Sequence, residues 1–325
     1  MVFLAGDIGG TKTNLALFDE NLKILREKKY SSQGHASLEE IIEEFGEDGD
    51  PEIKKMSFGI AGPIKDGICR TTNLPWVIDS HKMKGQFGMD AVYLLNDLES
   101  NAWGIKVLEP SDLYVLNEGH PHVEGNEALV SAGTGLGEAG LYYNGRDHIP
   151  FACEGGHCDF APRDAHEVAL FEYLKRKYGF HVSYERILSG RGMIDLYEFL
   201  LEDKGGSKPK SYEEREAQGE DPARIITELG LSKEDPLCAE TLEMFVSIYG
   251  SECGNTALKF MALHGLYIGG GIAPKILEAM QAGGFMESFI NKGRFRELLS
   301  QIPVRIVLND KTALLGAAYF CNRIK

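Results

Sequence analysis

The sequence predicts an α/β fold made of two related halves, and two observations carry this. A strand, glycine bend and returning strand occur at the N-terminus and again about one domain length later, and apolar strands alternate with helical stretches through the rest. With 325 residues, 43% of them hydrophobic, the chain can bury two cores, and its length favours two domains over one.

The first bend lies in MVFLAGDIGGTKTNLALFD. Asp7 ends an apolar run (Val2 to Leu4, then Ile8), and Gly9 and Gly10 let the backbone turn and approach a ligand closely. Thr11, Lys12 and Thr13 add hydroxyls and a cation, and Leu15 and Leu17 resume a strand. A Walker loop would place four residues before its Gly-Lys-Ser/Thr and then open a helix; here Thr11 precedes Lys12 and a strand follows.

The second bend lies in LVSAGTGLGEAGLYY, Leu129 to Tyr143, and turns at Gly133 to Gly137. Gly135, Gly137 and Gly140 fit the dinucleotide spacing G-x-G-x-x-G, but that fingerprint opens a helix and Ala139 to Tyr143 reads as a strand. Two such bends predict a duplicated fold with a nucleotide between its halves.

Between the bends, His35 to Phe45 reads as a helix, with Ser37 and Glu40 spaced as a capping box and Leu38, Ile41, Ile42 and Phe45 on one face. Met56 to Ala61 and Val92 to Leu95 read as strands, the latter stopping at Asn96 and Asp97, where side chains are well placed to face a cleft. Further on, Glu202 to Asp221 is polar and reads as a surface insertion or disordered loop. Leu237 to Leu263 is a long apolar helical region. Leu266 to Ile268 is a short strand running into Gly269, Gly270 and Gly271, with Pro274 where a helix can begin. Val304 to Leu308 is a last strand, and Thr312 to Phe320 a helix of small residues expected to return to the first domain.

Composition narrows the function. A net charge of -15 argues against nucleic acid or anionic membrane as partners, so an anionic nucleotide must be drawn in locally by backbone amides, Lys12 and a divalent metal. No apolar run reaches the roughly 18 residues that span a bilayer, and the N-terminus lacks the basic lead and apolar core of a secretory signal. The six cysteines are scattered without paired spacings, which suits a reducing compartment, so a cytoplasmic location is expected.

Four polar positions are candidates for an acceptor pocket: Asn96 with Asp97, Glu154 with His157, Asp159, and Glu185. Carboxylates and amides in such a cluster suit the neighbouring hydroxyls of a sugar, and Asp97 is the candidate base, against the plain alternative of a turn or helix cap. Cys153, His157 and Cys158 lie close in sequence, but a structural zinc site needs four ligands and the next cysteine is Cys238. Glu185, followed by the turn Ser189 to Gly192, also reads as an exposed acid near a helix start.

In order, DIGGTK (Asp7 to Lys12), TNLPW (Thr72 to Trp76), LLND (Leu94 to Asp97), GTGLG (Gly133 to Gly137), EGGHCDFAP (Glu154 to Pro162), ERILSG (Glu185 to Gly190) and IGGGIAPK (Ile268 to Lys275) resemble the bacterial glucokinase family, of the actin, hexokinase and heat-shock ATPase superfamily. The resemblance runs from Asp7 to about Ala318. It implies two actin-like (ribonuclease H-like) domains with a cleft between them, residues 1–97 plus 311–325 forming the small one and 98–310 the large one. It implies transfer of the terminal phosphoryl of ATP, with Mg2+, to the 6-hydroxyl of glucose by a homodimer.

Carried onto this chain, the resemblance makes Asp97 the base, with Asn96, Glu154, His157 and Glu185 beside it on the sugar. Gly6, Asp7, Ile8, Gly9, Gly10 and Thr11 would bind the nucleotide, Asp7 reaching magnesium through water and Gly9, Gly10 and Thr11 lying beneath the phosphates. Gly133, Thr134 and Gly135 would form the second phosphate loop, and Gly269, Gly270 and Gly271 would lie near the adenosine. Lys12 stands where related sequences often have Asn, and the cysteine-rich zinc signature of the neighbouring repressor and kinase group is missing. Two rivals share the bends. An actin-like or chaperone-like ATPase would not need the five polar residues together and is expected to need a substrate domain; a sugar-responsive regulator is expected to carry a DNA-binding extension.

Overall fold

The computed structural model describes residues 2–71, 73–120, 123–179 and 181–324, so Thr72 of the TNLPW motif lies outside the described residues. The chain groups into two units, one of Met1–Asp112, Ile149–Ala152 and Asn309–Lys325, the other of Leu113–His148 and Cys153–Leu308.

In the first unit, β1 (Val2–Ile8), β2 (Lys12–Asp19), β3 (Ile24–Ser31), β4 (Ile53–Ile60) and β5 (Ala91–Asn96) form one sheet in the order β3-β2-β1-β4-β5. β1 is antiparallel to β2 across the glycine bend and parallel to β4, which is parallel to β5. The register sets Ile8 beside Ile60 and Ile60 beside Asn96, so three strands end along one edge of the sheet. β1 is buried on both faces, which is why it reads as a continuous apolar run. Leu4 and Ile8 join one core with Met56, Phe58 and Ile60, while Phe3 and Ala5 pack with the C-terminal helix (Thr312–Arg323) through Leu314, Ala317, Ala318 and Cys321.

The first helix, α1 (Leu38–Phe45), starts three residues later than the sequence pattern suggested. Ser37 is extended and its side chain accepts from the Glu40 amide at 3.2 Å, so the cap wins over the periodicity of the residues before it. The buried stripe is the expected one, Leu38, Ile41, Ile42 and Phe45. After α2 (Ser80–Gln86), β5 feeds directly into α3 (Asp97–Gly104). That helix and the C-terminal helix cross in near backbone contact. A Cβ on Gly316 would collide with the Ser100 carbonyl and one on Gly104 with the Thr312 carbonyl, and Ser100 Oγ donates to the Ala313 carbonyl at 2.7 Å.

The second unit holds β6 (Leu113–Asn117), β7 (Glu127–Ala132), β8 (Leu136–Tyr143), β9 (Gly265–Gly269) and β10 (Val304–Val307), in the order β8-β7-β9-β10-β6. Here too a glycine-bent antiparallel pair, β7 and β8, lies beside two parallel strands, β9 and β10. The order β8-β7-β9-β10 repeats β2-β1-β4-β5, the duplication that the two hairpins announced.

Five longer helices, α4 (Ala165–Tyr178), α5 (Gly190–Lys204), α6 (Lys210–Ala217), α7 (Pro222–Leu231) and α8 (Pro236–Phe260), belong to this unit, α8 buried along most of its length. The polar stretch from Glu202 to Asp221 is not a disordered loop. It contains α6, anchored by Tyr212, which is buried and stacks on Tyr197 with ring centroids 5.1 Å apart. One aromatic among ten or so charged neighbours supplies too little signal to offset a polar average.

Candidate active site

At the first glycine bend, Asp7 closes β1 opposite Asn14 on β2 and Gly59 on β4. The bend is fixed from below: Gly9 N donates to the Lys12 carbonyl at 2.9 Å, while Ser32 donates from Oγ to the Gly9 carbonyl at 2.8 Å and from N to the Thr11 carbonyl at 2.9 Å. Burial and the negative charge of Asp97 push the Asp7 carboxyl up to about 6, against the opposing pull of Lys29. Two carboxylates are thus close enough to feel each other, an oxygen donor set that a hard divalent cation would relieve.

Asp97 is the first residue of α3 and Asn96 its cap. Asn96 Oδ1 accepts from the Leu98 amide at 2.9 Å, and its Nδ2 donates to the Gly62 carbonyl at 3.4 Å. Asp97 Oδ1 also accepts from the Leu98 amide, at 3.0 Å. Gly6 and Ile8 are packed inside the sheet, where a Cβ on Gly6 would press on Leu15 and Phe58 and Ile8 is 2% exposed, so only their backbones are available to a ligand.

In the second unit, the turn Gly155–His157 is pressed onto β8 so tightly that a Cβ on Gly155 would collide with the Glu138 carboxylate and one on Gly156 with the Leu136 carbonyl. The two glycines let the backbone sit flat while Glu154 and His157 point outward, both exposed. His157 Nδ1 lies 4.0 Å from Glu154 and its Nε2 3.8 Å from Glu185. Glu185 in turn accepts from the Leu136 amide at 3.0 Å, which fastens this group to the second glycine bend. Beneath the turn, burial and the neighbouring Glu252 push the Glu138 carboxyl up to about 7, Lys259 opposing.

Asp159 does not join this group: it is exposed and faces His181 at 3.4 Å. Nor do Cys153, His157 and Cys158 form a ligand set among the described residues. Burial raises the Cys153 thiol, which keeps it protonated and inert.

The second bend also walls a cavity of about 840 Å3, lined by Gly133 and Thr134, by Gly190 and Met193 of α5, by Asp221, Arg224 and Thr227 around α7, and by Gly271 and Lys275. Gly190 N donates to the Gly133 carbonyl at 2.9 Å, so the start of α5 abuts the bend. Of the glycine trio, Gly271 lines the cavity, while Gly270 takes φ of 82° and turns the chain beneath it, where a Cβ would strike the Ala132 carbonyl. The α5 and α7 walls were missed in the sequence. Their signals were local caps alone, Ser189 before α5 and, before α7, Asp221 followed by proline at the first helical position.

A family model described as Glucokinase matches residues 4–324. The chain belongs to the glucokinase family. A glucokinase of Nostoc punctiforme is 39% identical over 99% of both chains, and one of Synechocystis is 39% identical over 97% of this chain and 96% of its own. Among solved structures, a glucokinase from an Antarctic psychrotroph superposes with a TM-score of 0.85 at 30% identity, covering 98% of each chain. The family therefore spans both units, the two glycine bends, and the Asp7–Asp97 and Glu154–His157–Glu185 groups.

Proposed function

We propose that this member of the glucokinase family transfers the terminal phosphoryl group of ATP to the 6-hydroxyl of glucose, with Asp97 as the general base. The observation that carries the reading is the placement of Asp97 at the first turn of α3, near enough to the half-buried Asp7 to raise its carboxyl. A kinase needs one carboxylate to accept a hydroxyl proton and another to stand by the metal-bound phosphates. Asn96, Glu154, His157 and Glu185 would hold the remaining sugar hydroxyls, the amide and acids matching neighbouring donors and acceptors.

The nucleotide would lie over the second bend with its base in the cavity beside Gly271, and Gly133, Thr134 and Gly135 would offer backbone dipoles to its phosphates together with Gly9, Gly10 and Thr11. Asp7 fits a magnesium ion, held through water, which when bound would neutralise phosphate charge. Asp97 accepts the proton as the sugar oxygen attacks, and the remaining groups position the reactants, which supplies most of the rate in phosphoryl transfer.

The same reading takes residues 1–97 plus 311–325 as the small domain, and makes the enzyme a cytoplasmic homodimer acting on small molecules rather than on nucleic acid or membrane. The charge of -15 supports the last point, and no helix among the described residues is long and apolar enough to cross a membrane.

A coupled assay over a panel of hexoses and phosphoryl donors is expected to give turnover with glucose and ATP above all other pairs. Asp97→Asn is expected to lower kcat by about 10²- to 10⁴-fold while glucose still binds, because the amide keeps the shape but takes no proton. Full turnover in that variant removes the base assignment. ATP hydrolysis without sugar phosphorylation would favour the actin-like ATPase instead.

A further inference from the structure

At the ends of β7 and β9 opposite the second glycine bend, three ligating side chains converge within the second unit. Glu127 opens β7, His264 immediately precedes β9, and His148 begins the strand His148–Cys153. β7 and β9 run parallel with Glu127 beside Gly265, so the strand register brings Glu127 and His264 together. The length of β7, six residues or roughly 20 Å, separates this group from the glycine bend.

Each imidazole is committed on one nitrogen. His148 Nε2 donates to the Gly125 carbonyl at 2.9 Å and His264 Nδ1 to the Val123 carbonyl at 2.8 Å; a carbonyl only accepts, so both protons are placed. The other nitrogens, His148 Nδ1 and His264 Nε2, face the two oxygens of Glu127 at 3.8 and 3.6 Å. Such separations are too long for hydrogen bonds. They are close to the ~3.3 Å between donor atoms bound about 2.05 Å from a tetrahedral ion. Anchoring the far nitrogen on a carbonyl is also the outer-shell arrangement that aims an imidazole lone pair at a metal.

Charge points the same way. Glu127 is 1% exposed, and a carboxylate so buried is paired with a cation or coordinates a metal. The two rings lie with centroids 4.9 Å apart, so one ion can lie against both. A single divalent ion supplies positive charge beside the carboxylate.

We propose that Glu127, His148 and His264 bind a divalent ion of the zinc class, with water completing the shell on the side of the half-exposed His264. Two imidazoles and one carboxylate select zinc over magnesium and calcium, whose shells are built of oxygen. The ion ties the starts of three segments together, and its consequence is stability, not phosphoryl transfer.

Metal-free, untagged full-length protein titrated calorimetrically with Zn2+ is expected to bind one ion at this site and to gain thermal stability, with Mg2+ failing to compete. His264→Gln is expected to lower the affinity at least about 10-fold and to abolish the thermal gain, while circular dichroism and sugar phosphorylation stay at wild-type levels. His148→Gln should repeat the result and guards against a folding defect in either variant. Wild-type protein that takes up no Zn2+, both variants keeping the ion and the thermal gain, or a loss confined to a Cys153→Ser or Cys158→Ser variant would each overturn the proposal.

Discussion

Glu138 has no direct part in the proposed chemistry, yet it supports the turn that presents Glu154 and His157. Its carboxyl, pushed up to about 7 from an ordinary 4.5 by burial and by Glu252, binds a proton more tightly in the folded chain than in the unfolded one. Between those two values the native state therefore holds more protons, so stability falls as pH rises through the window and the loss is complete above it. Each pKa unit is worth about 1.4 kcal/mol, and the fall expected from pH 5 to pH 8 exceeds that amount. Glu138→Gln, which keeps the neutral shape, is expected to flatten this part of the profile in urea unfolding measured at several pH values. An unchanged slope would show that Glu138 is not the group responsible. Nothing in the sequence set Glu138 apart, because its role comes from Gly155 lying against it and from Glu252, more than a hundred residues away in the chain. Asp7, Asp97 and the Glu154–His157 pair were legible because each stands beside glycines or at a strand end, where local pattern marks it, whereas Glu185 has neither mark and stood out only as a polar residue near the Ser189 to Gly192 turn.

At the scale of elements, the helix pair formed by α3 and the C-terminal helix fixes where the candidate base stands. Ser100 and Gly104 on α3 meet Ala313 and Gly316 with no room for a side chain at either glycine. Gly316→Ala is expected to push the helices apart, costing about 1–3 kcal/mol as overpacking does, and to lower kcat through displacement of Asp97. Gly85→Ala makes the contrast: Gly85 is exposed in α2 with open space around it, so the change should stabilise by about 0.5–1 kcal/mol and leave turnover alone. Chemical denaturation with steady-state rates on both variants separates the two cases. If Gly316→Ala were neutral in both measurements, the tight crossing would not be what holds α3 in place. The small-residue stripe of the C-terminal helix was readable as close packing, since Gly316, Ala317 and Ala318 leave little side chain to fill a gap. Its partner was not, because α3 carries its contact through backbone, Ser100 and the single aromatic Trp103 against Tyr319 and Phe320 rather than through a repeating apolar stripe. α6 escaped for the opposite reason, its single buried Tyr212 being outweighed by charged neighbours.

For the whole molecule, the net charge of -15 sets a long-range field that opposes an approaching nucleotide, itself an anion. The contacts proposed for its phosphates, backbone dipoles and a bound cation, act over a few ångströms and survive screening. The repulsion does not, because the Debye length shrinks from about 30 Å at 0.01 M salt to about 8 Å at 0.15 M. The value of kcat/KM for ATP is therefore expected to rise over that range at fixed free Mg2+, whereas kcat/KM for glucose, which is uncharged, measured at saturating ATP should stay nearly flat. A fall for ATP would mean that Lys12 and Lys275 create a local positive field strong enough to outweigh the charge of the chain, and the double variant Lys12→Gln/Lys275→Gln should then restore the rise. Charge totals are legible in any sequence, but their balance at the bend depends on where a few lysines stand. Lys275 lining the cavity and exposed Lys12 at the start of β2 are the two positions that the double variant tests.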